Sequence, residues 1–106
     1  MFVLSKIFGD HPQVKILEVF TDHFDEELSI IDIIWLTDIP KTTICGCIDK
    51  LLDEKIILKI GRAGKTQLYY LNNEKEEVKI VLSLVNYIVS EKLADRLEVR
   101  GLEQIE

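Results

Sequence analysis

Between Ser29 and Leu71 two runs of helical period give way to two of strand period, and this ordered change limits the folds open to the chain. Ser29 can cap a helix, with Asp32 three residues on completing a weak capping box. The helix is short and apolar, through Ile30, Ile31, Ile33, Ile34 and Leu36. Thr37-Asp38-Ile39-Pro40 breaks it, and Asp38 suits the left-handed conformation of a tight helix–helix turn. A further helix follows over about 40–54, with Ile44, Ile48, Leu51 and Leu52 on one face and Lys41, Thr42, Cys45, Asp49 and Lys50 on the other. The period then changes to that of strands. Ile56 to Ile60 and Thr66 to Leu71 are two β runs joined by a turn of about five residues, Gly61 to Lys65, and this pattern predicts a hairpin.

On the N-terminal side, Gly9-Asp10-His11-Pro12 marks a helix start, with Asp10 or His11 as cap and Pro12 in the first turn. That helix carries Ile16, Leu17, Phe20 and Phe24 at helical spacing and ends in the acidic run Asp22 to Glu27. Trp35, set among Ile33, Ile34 and Leu36, is expected to pack in the core or against a helix. On the C-terminal side, residues 74–100 contain no Gly or Pro and return to the helical period. Val78, Val81, Leu82, Val85, Ile88, Val89, Leu93 and Leu97 form one stripe, and Ile80, Leu84 and Tyr87 a second. A helix apolar on two sides is buried on two sides. A small domain covers one side, so the other implies a second copy. Val78, Val81, Leu82, Val85, Ile88, Val89 and Leu93 are the expected dimer contacts, with Phe2, Val3, Leu4, Ile7 and Phe8 beside them.

The loop GRAGKTQLYYL contains Gly-Lys-Thr, the ending of a phosphate-binding P-loop. Such a loop needs a Gly five positions before Gly64, where this chain has Lys59, and a helix after it. Gln67 to Leu71 read as strand, so nucleotide binding is excluded. Charge points to a different anion. The chain carries a net −6, yet Lys41 to Tyr70 holds six basic and three acidic side chains. This local balance of +3 leaves −9 on the remainder, as expected of one anion-facing surface on an acidic body.

The order of helix, short helix, turn, helix and hairpin with a basic tip is that of a winged helix-turn-helix. From Ile7 to Leu71 the chain resembles archaeal and bacterial winged-helix regulators related to the MarR and ArsR families. Ile7-Phe8-Gly9-Asp10 followed by VKILEVF resembles the opening of their first helix. LSIIDIIWLTDIPKTTICGCIDKLLDEKIILKI resembles their helix-turn-helix and wing entry, and GRAGKTQLYYL their wing. The resemblance implies a transcriptional regulator, commonly a homodimer on double-stranded DNA, with the third helix in the major groove and the wing on the backbone. The implied fold class is mainly α with a small β-hairpin (α+β), in a single domain over 1–106. Residues 7–72 are the winged core and 74–100 a C-terminal dimerisation helix. DNA contacts are expected from Lys41, Thr42, Thr43, Cys45 and Lys50 of the third helix and from Arg62 and Lys65 of the wing over 61–66.

Two features oppose strong base reading. Gly46 brings no side chain to the recognition face, and Asp49 repels phosphate, although it can accept from cytosine N4. With the acidic total, they motivate an alternative: a winged-helix protein-interaction module without DNA binding. Cys45 and Cys47, two apart on a helix, point about 200° apart, so they do not readily ligate one ion. His11 and His23 have no ligand spacing relative to them, so neither metal nor cofactor is expected. Cys47 is expected in the core and Cys45 near the surface, where a redox role is open to it. A small-molecule effector is likewise open. No catalytic constellation is visible, so the chain is not expected to be an enzyme. No apolar run reaches the roughly 18 residues of a membrane span, and MFVLSKIF lacks the parts of a signal peptide. The chain is therefore expected to be cytoplasmic and intact from Met1.

Overall fold

Two local devices fix the middle of the chain. Ser29 Oγ accepts from the Asp32 amide at 3.2 Å, and Asp32 Oδ2 accepts from the Ser29 amide at 2.9 Å. This reciprocal pair satisfies two N–H groups that a helix start leaves open, and it begins helix α3, Ile30–Thr37. Asp38 ends that helix in the left-handed region at φ 59, donating its amide to Ile34 O at 2.8 Å. Pro40 then leads into α4, Lys41–Asp53. Its far end is closed by Lys55, at φ 58. Lys55 donates to Leu52 O at 3.0 Å and Ile56 to Leu51 O at 2.9 Å, the paired bonds of a Schellman ending. Both left-handed positions are non-glycine, at a cost of about 1 kcal/mol each.

The computed structural model describes residues 3–105, with side-chain burial given for 4–91. Around α3 and α4 it arranges α1 (Val3–Phe8), α2 (Pro12–Asp22), β1 (Ile57–Ala63), β2 (Thr66–Leu71) and α5 (Glu76–Ile105). Pro12 opens α2 behind His11, whose side chain makes no capping bond. The core gathers Ile16, Val19 and Phe20 of α2, Ile33 of α3, Ile44, Ile48 and Leu51 of α4, Ile57, Tyr69 and Leu71 of the hairpin, and Val78 of α5. Leu28 exchanges both backbone bonds with Tyr69 at 2.8 Å, adding a one-residue third strand beside β2.

Several expectations are corrected. Phe24 lies beyond the end of α2 and is 49% exposed, because the helix stops at Asp22 and its stripe stops with it. Trp35 is not packed: it is 84% exposed. Ile33, fully buried, takes the core side of α3, and a residue two further on points about 200° away. The hairpin turn is two residues, Gly64-Lys65, instead of five. Strand β1 continues to Ala63 through a bulge between Lys59 and Gly61, and Gln67 Nε2 donates to Gly61 O at 2.8 Å across it. Gly61 at φ 146 and Gly64 at φ 65 occupy backbone regions that side-chain-bearing residues rarely adopt, which is why glycines stand there. Helix α1, not anticipated as a separate element, buries Leu4, whose amide donates to the fully buried Glu18 carboxylate of α2.

Helix α5 changes the outline of the molecule. The radius of gyration is 16.3 Å, against about 13 Å for a compact domain of this length. Thirty helical residues span about 45 Å, well beyond a body whose lesser extents are 28 and 26 Å. The first apolar stripe of α5 is largely used within its own chain. Val78 and Val85 are 2% and 6% exposed, and Val81, Leu82 and Ile88 are half-buried. Val78 joins the core and Leu82 packs against it, so the first part of the stripe expected to meet a partner is covered within the chain, whereas Val89 of the same stripe is 50% exposed. Among the described residues, the other open apolar side chains of α5 are Ile80 (67% exposed) and Tyr87 (64%), with Ile7 and Phe8 exposed on α1. The side chains of Phe2, Val3, Leu93 and Leu97 lie outside the described residues.

Candidate nucleic-acid interface

The first turn of α4 presents Lys41, Thr42 and Thr43, all exposed. Pro40 precedes them and supplies no side-chain cap. Backbone N–H groups at such a helix start favour an anion, and Lys41 adds a charge there. One turn further, Gly46 is exposed, and a Cβ built on it meets no atom within 4 Å. Thr42, Thr43, Asp49 and Lys50, all exposed, lie one turn before or after it, so Gly46 is the centre of the outward face. That face has polar and cationic edges and an open middle.

The hairpin meets this helix from the side. Lys41 of α4 and Thr66 and Gln67 of β2 line one groove of about 230 Å³, floored by Ile30, Ile31 and Ile34 of α3. The α4 start and the wing therefore share a concavity. Arg62 sits on β1 opposite Gln67, and Lys65 in the two-residue turn, both exposed. Lys59, also exposed on β1, is a further cation of this ribbon, absent from the DNA contacts expected above.

Cys45 is half-buried and not on the open face. Burial pushes the Tyr69 phenol up, and Cys45 and Asp49 add to the effect. Cys47 is also half-buried and packs against the core; burial pushes its thiol up, opposed by Lys50. A raised thiol pKa makes a less reactive sulfur. Among the described residues no cluster of His, Cys, Asp and Glu could hold a metal, and His23 is paired with Glu26 through Nδ1. No helix of the described residues is long and apolar enough to cross a membrane.

No protein-family model matches the sequence, and no curated protein is significantly similar to it. Solved structures do match. The chain superposes on reduced HlyU from Vibrio cholerae with a TM-score of 0.61 at 21% identity, covering 81% of this chain and 84% of that one. It superposes on MepR, a transcription regulator of the Staphylococcus aureus multidrug efflux pump MepA, with a TM-score of 0.63 at 17% identity, covering 96% and 76%. For the transcriptional regulator BldR from Sulfolobus solfataricus the TM-score is 0.56 at 16% identity, covering 96% and 77%. These neighbours are bacterial and archaeal alike, so they give no support to a specifically archaeal type. Five helices and a two-stranded antiparallel hairpin in this order, shared with such structures, make the fold a winged helix-turn-helix of the α+β class.

Proposed function

We propose that this chain is a DNA-binding transcriptional regulator that works as a homodimer in the cytoplasm. Helix α4 enters the major groove, and the β1–β2 wing follows the backbone. The observation that carries this reading is the shared groove of Lys41 with Thr66 and Gln67, which joins the uncapped start of α4 to a ribbon bearing Lys59, Arg62 and Lys65. Lys41, Arg62 and Lys65 bind phosphate, with Lys50 at the groove edge. Thr42 and Thr43 reach base edges or a thymine methyl. Cys45, half-buried, lies at the edge of this contact. The solved structures it resembles include two described as transcription regulators. The second copy packs on Ile80, Tyr87 and Val89 with Ile7 and Phe8, the apolar residues left open along α5 and α1. No catalytic role is assigned.

The test is selection of bound genomic fragments by the purified protein, followed by footprinting. The reading predicts two protected half-sites about 34 Å apart, or a multiple of that spacing, related by a dyad. A single unpaired footprint contradicts the dimer, and absence of any protected duplex contradicts DNA binding. A second reading, an interaction module without DNA binding, is favoured by one observation: Gly46 and the exposed Asp49 leave the middle of the α4 face without a cation or a base-reading side chain. It predicts no shift of any duplex at about 50 mM salt.

A further inference from the structure

We propose that the outward face of α3 is a docking surface for a basic protein segment that carries apolar side chains at helical spacing. Ile31 and Trp35, four apart, stand side by side on this helix, 59% and 84% exposed, with Leu36 beside them at 43%. Trp35 alone offers roughly 200 Å² of mostly apolar surface. The helix is held at both ends, by the Ser29–Asp32 capping box and by the Asp38 cap, so the face is presented in a fixed conformation. Ile33 fills the core side, which leaves Trp35 and much of Ile31 open.

Charge selects the occupant. Asp32 follows Ile31 and precedes Leu36 by one turn, and Asp38 closes the helix; both are exposed. A symmetric contact with a second copy would set this patch against itself. Asp32 and Asp38 would then face like charges. Nucleic acid and anionic lipid are repelled for the same reason. The patch is also well below the roughly 800 Å² per partner of a standard stable interface. What fits is a transient protein partner whose Lys or Arg side chains meet Asp32 and Asp38 while its apolar side chains cover Trp35 and Ile31. Ile31 also lines the groove that Lys41 shares with Ile30 and Ile34, so Lys41 borders that flank and the partner's cations belong on the Asp32 edge.

Trp35 is the single tryptophan of the chain, so its fluorescence reports on this face alone. The full chain is titrated with two synthetic amphipathic helical peptides having the same leucines, one with lysines and one with glutamates. The lysine peptide is expected to shift the emission to the blue, and the glutamate peptide to leave it unchanged. In an anisotropy assay with labelled lysine peptide, Trp35→Ala weakens binding roughly tenfold or more. Asp32→Asn with Asp38→Asn weakens it severalfold, whereas Asp25→Asn with Glu26→Gln leaves it unchanged. Circular dichroism verifies that each variant is folded. Equal response to both peptides, unaltered binding by Trp35→Ala, or equal loss in the Asp25–Glu26 control overturns the proposal. Dissociation of the wild-type dimer by Trp35→Asp also overturns it, and assigns the face to a second copy.

Discussion

Replacing Gly46 by Ala tests the account of α4 from stability through to function. Glycine inside a helix costs about 0.8–1.0 kcal/mol relative to alanine, largely through the freedom it loses on folding. Elsewhere such a gain can be cancelled by a clash. Here a Cβ meets nothing within 4 Å, so the new methyl neither collides nor packs, and the propensity difference stands alone. The expected gain is therefore about 1 kcal/mol, or a rise of about 4 °C in Tm for a chain of this size. The assay is thermal unfolding at fixed protomer concentration, because self-association of the proposed kind would make Tm concentration-dependent. An unchanged or lowered Tm would refute an open, helical Gly46. The same position then probes function. If this face meets DNA, Gly46→Arg neutralises up to one more phosphate per protomer and steepens the salt dependence by about 0.9 for each. Gly46→Glu weakens binding. Equal duplex affinity for the Arg and Glu variants would refute the orientation of α4.

Three further outcomes follow from the geometry. Ser29→Ala removes one side of the capping box and is expected to cost about 1 kcal/mol in urea unfolding, and Ser29→Gly only a few tenths. Ile80→Asp with Tyr87→Asp puts charge on the open residues of α5 and is expected to convert the proposed dimer to monomer in sedimentation velocity, while Val89→Ala only weakens it; a wild type that sediments as a monomer contradicts the proposal. Burial first, then the nearby Glu18, raises the Asp22 carboxyl pKa above its ordinary value, opposed by positive charge from the chain's amino terminus and from His23. A raised folded-state pKa means that ionisation destabilises the fold, so this penalty grows as pH rises from about 4. Asp22→Asn is therefore expected to be more stable than wild type at pH 7, with the difference shrinking toward pH 3 in parallel denaturation curves.

The features legible in the sequence are those decided within one turn of chain. Ser29 with Asp32, Asp38 at a helix end and Pro12 at a helix start each signal a backbone event whose partners lie within a few residues, whereas the left-handed Lys55 after α4 carries no such signal. The element order follows from these, and with it the fold. What stays hidden is which side a neighbour covers. Trp35 lies in so apolar a run that hydropathy masks its exposure, and only the packing of Ile33 decides it. The two stripes of α5 look equivalent as sequence; α1 and α2 pack on this helix, Val78 and Val85 are buried, and Ile80 and Tyr87 are left open. In the candidate site, charge and position single out Lys41, Thr42, Thr43, Arg62 and Lys65, and all are exposed. Cys45, expected near the surface, is half-buried. The wing turn reads as longer than it is because a bulge lets glycine continue a strand where it commonly ends one.

The most direct measurement is duplex affinity across a series of salt concentrations, for the wild type and for Arg62→Ala with Lys65→Ala. The account predicts measurable binding at about 50 mM salt and a log–log slope that falls by up to about 0.9 for each phosphate no longer neutralised. Identical affinity and slope in the two proteins, or no duplex bound by either, would contradict it.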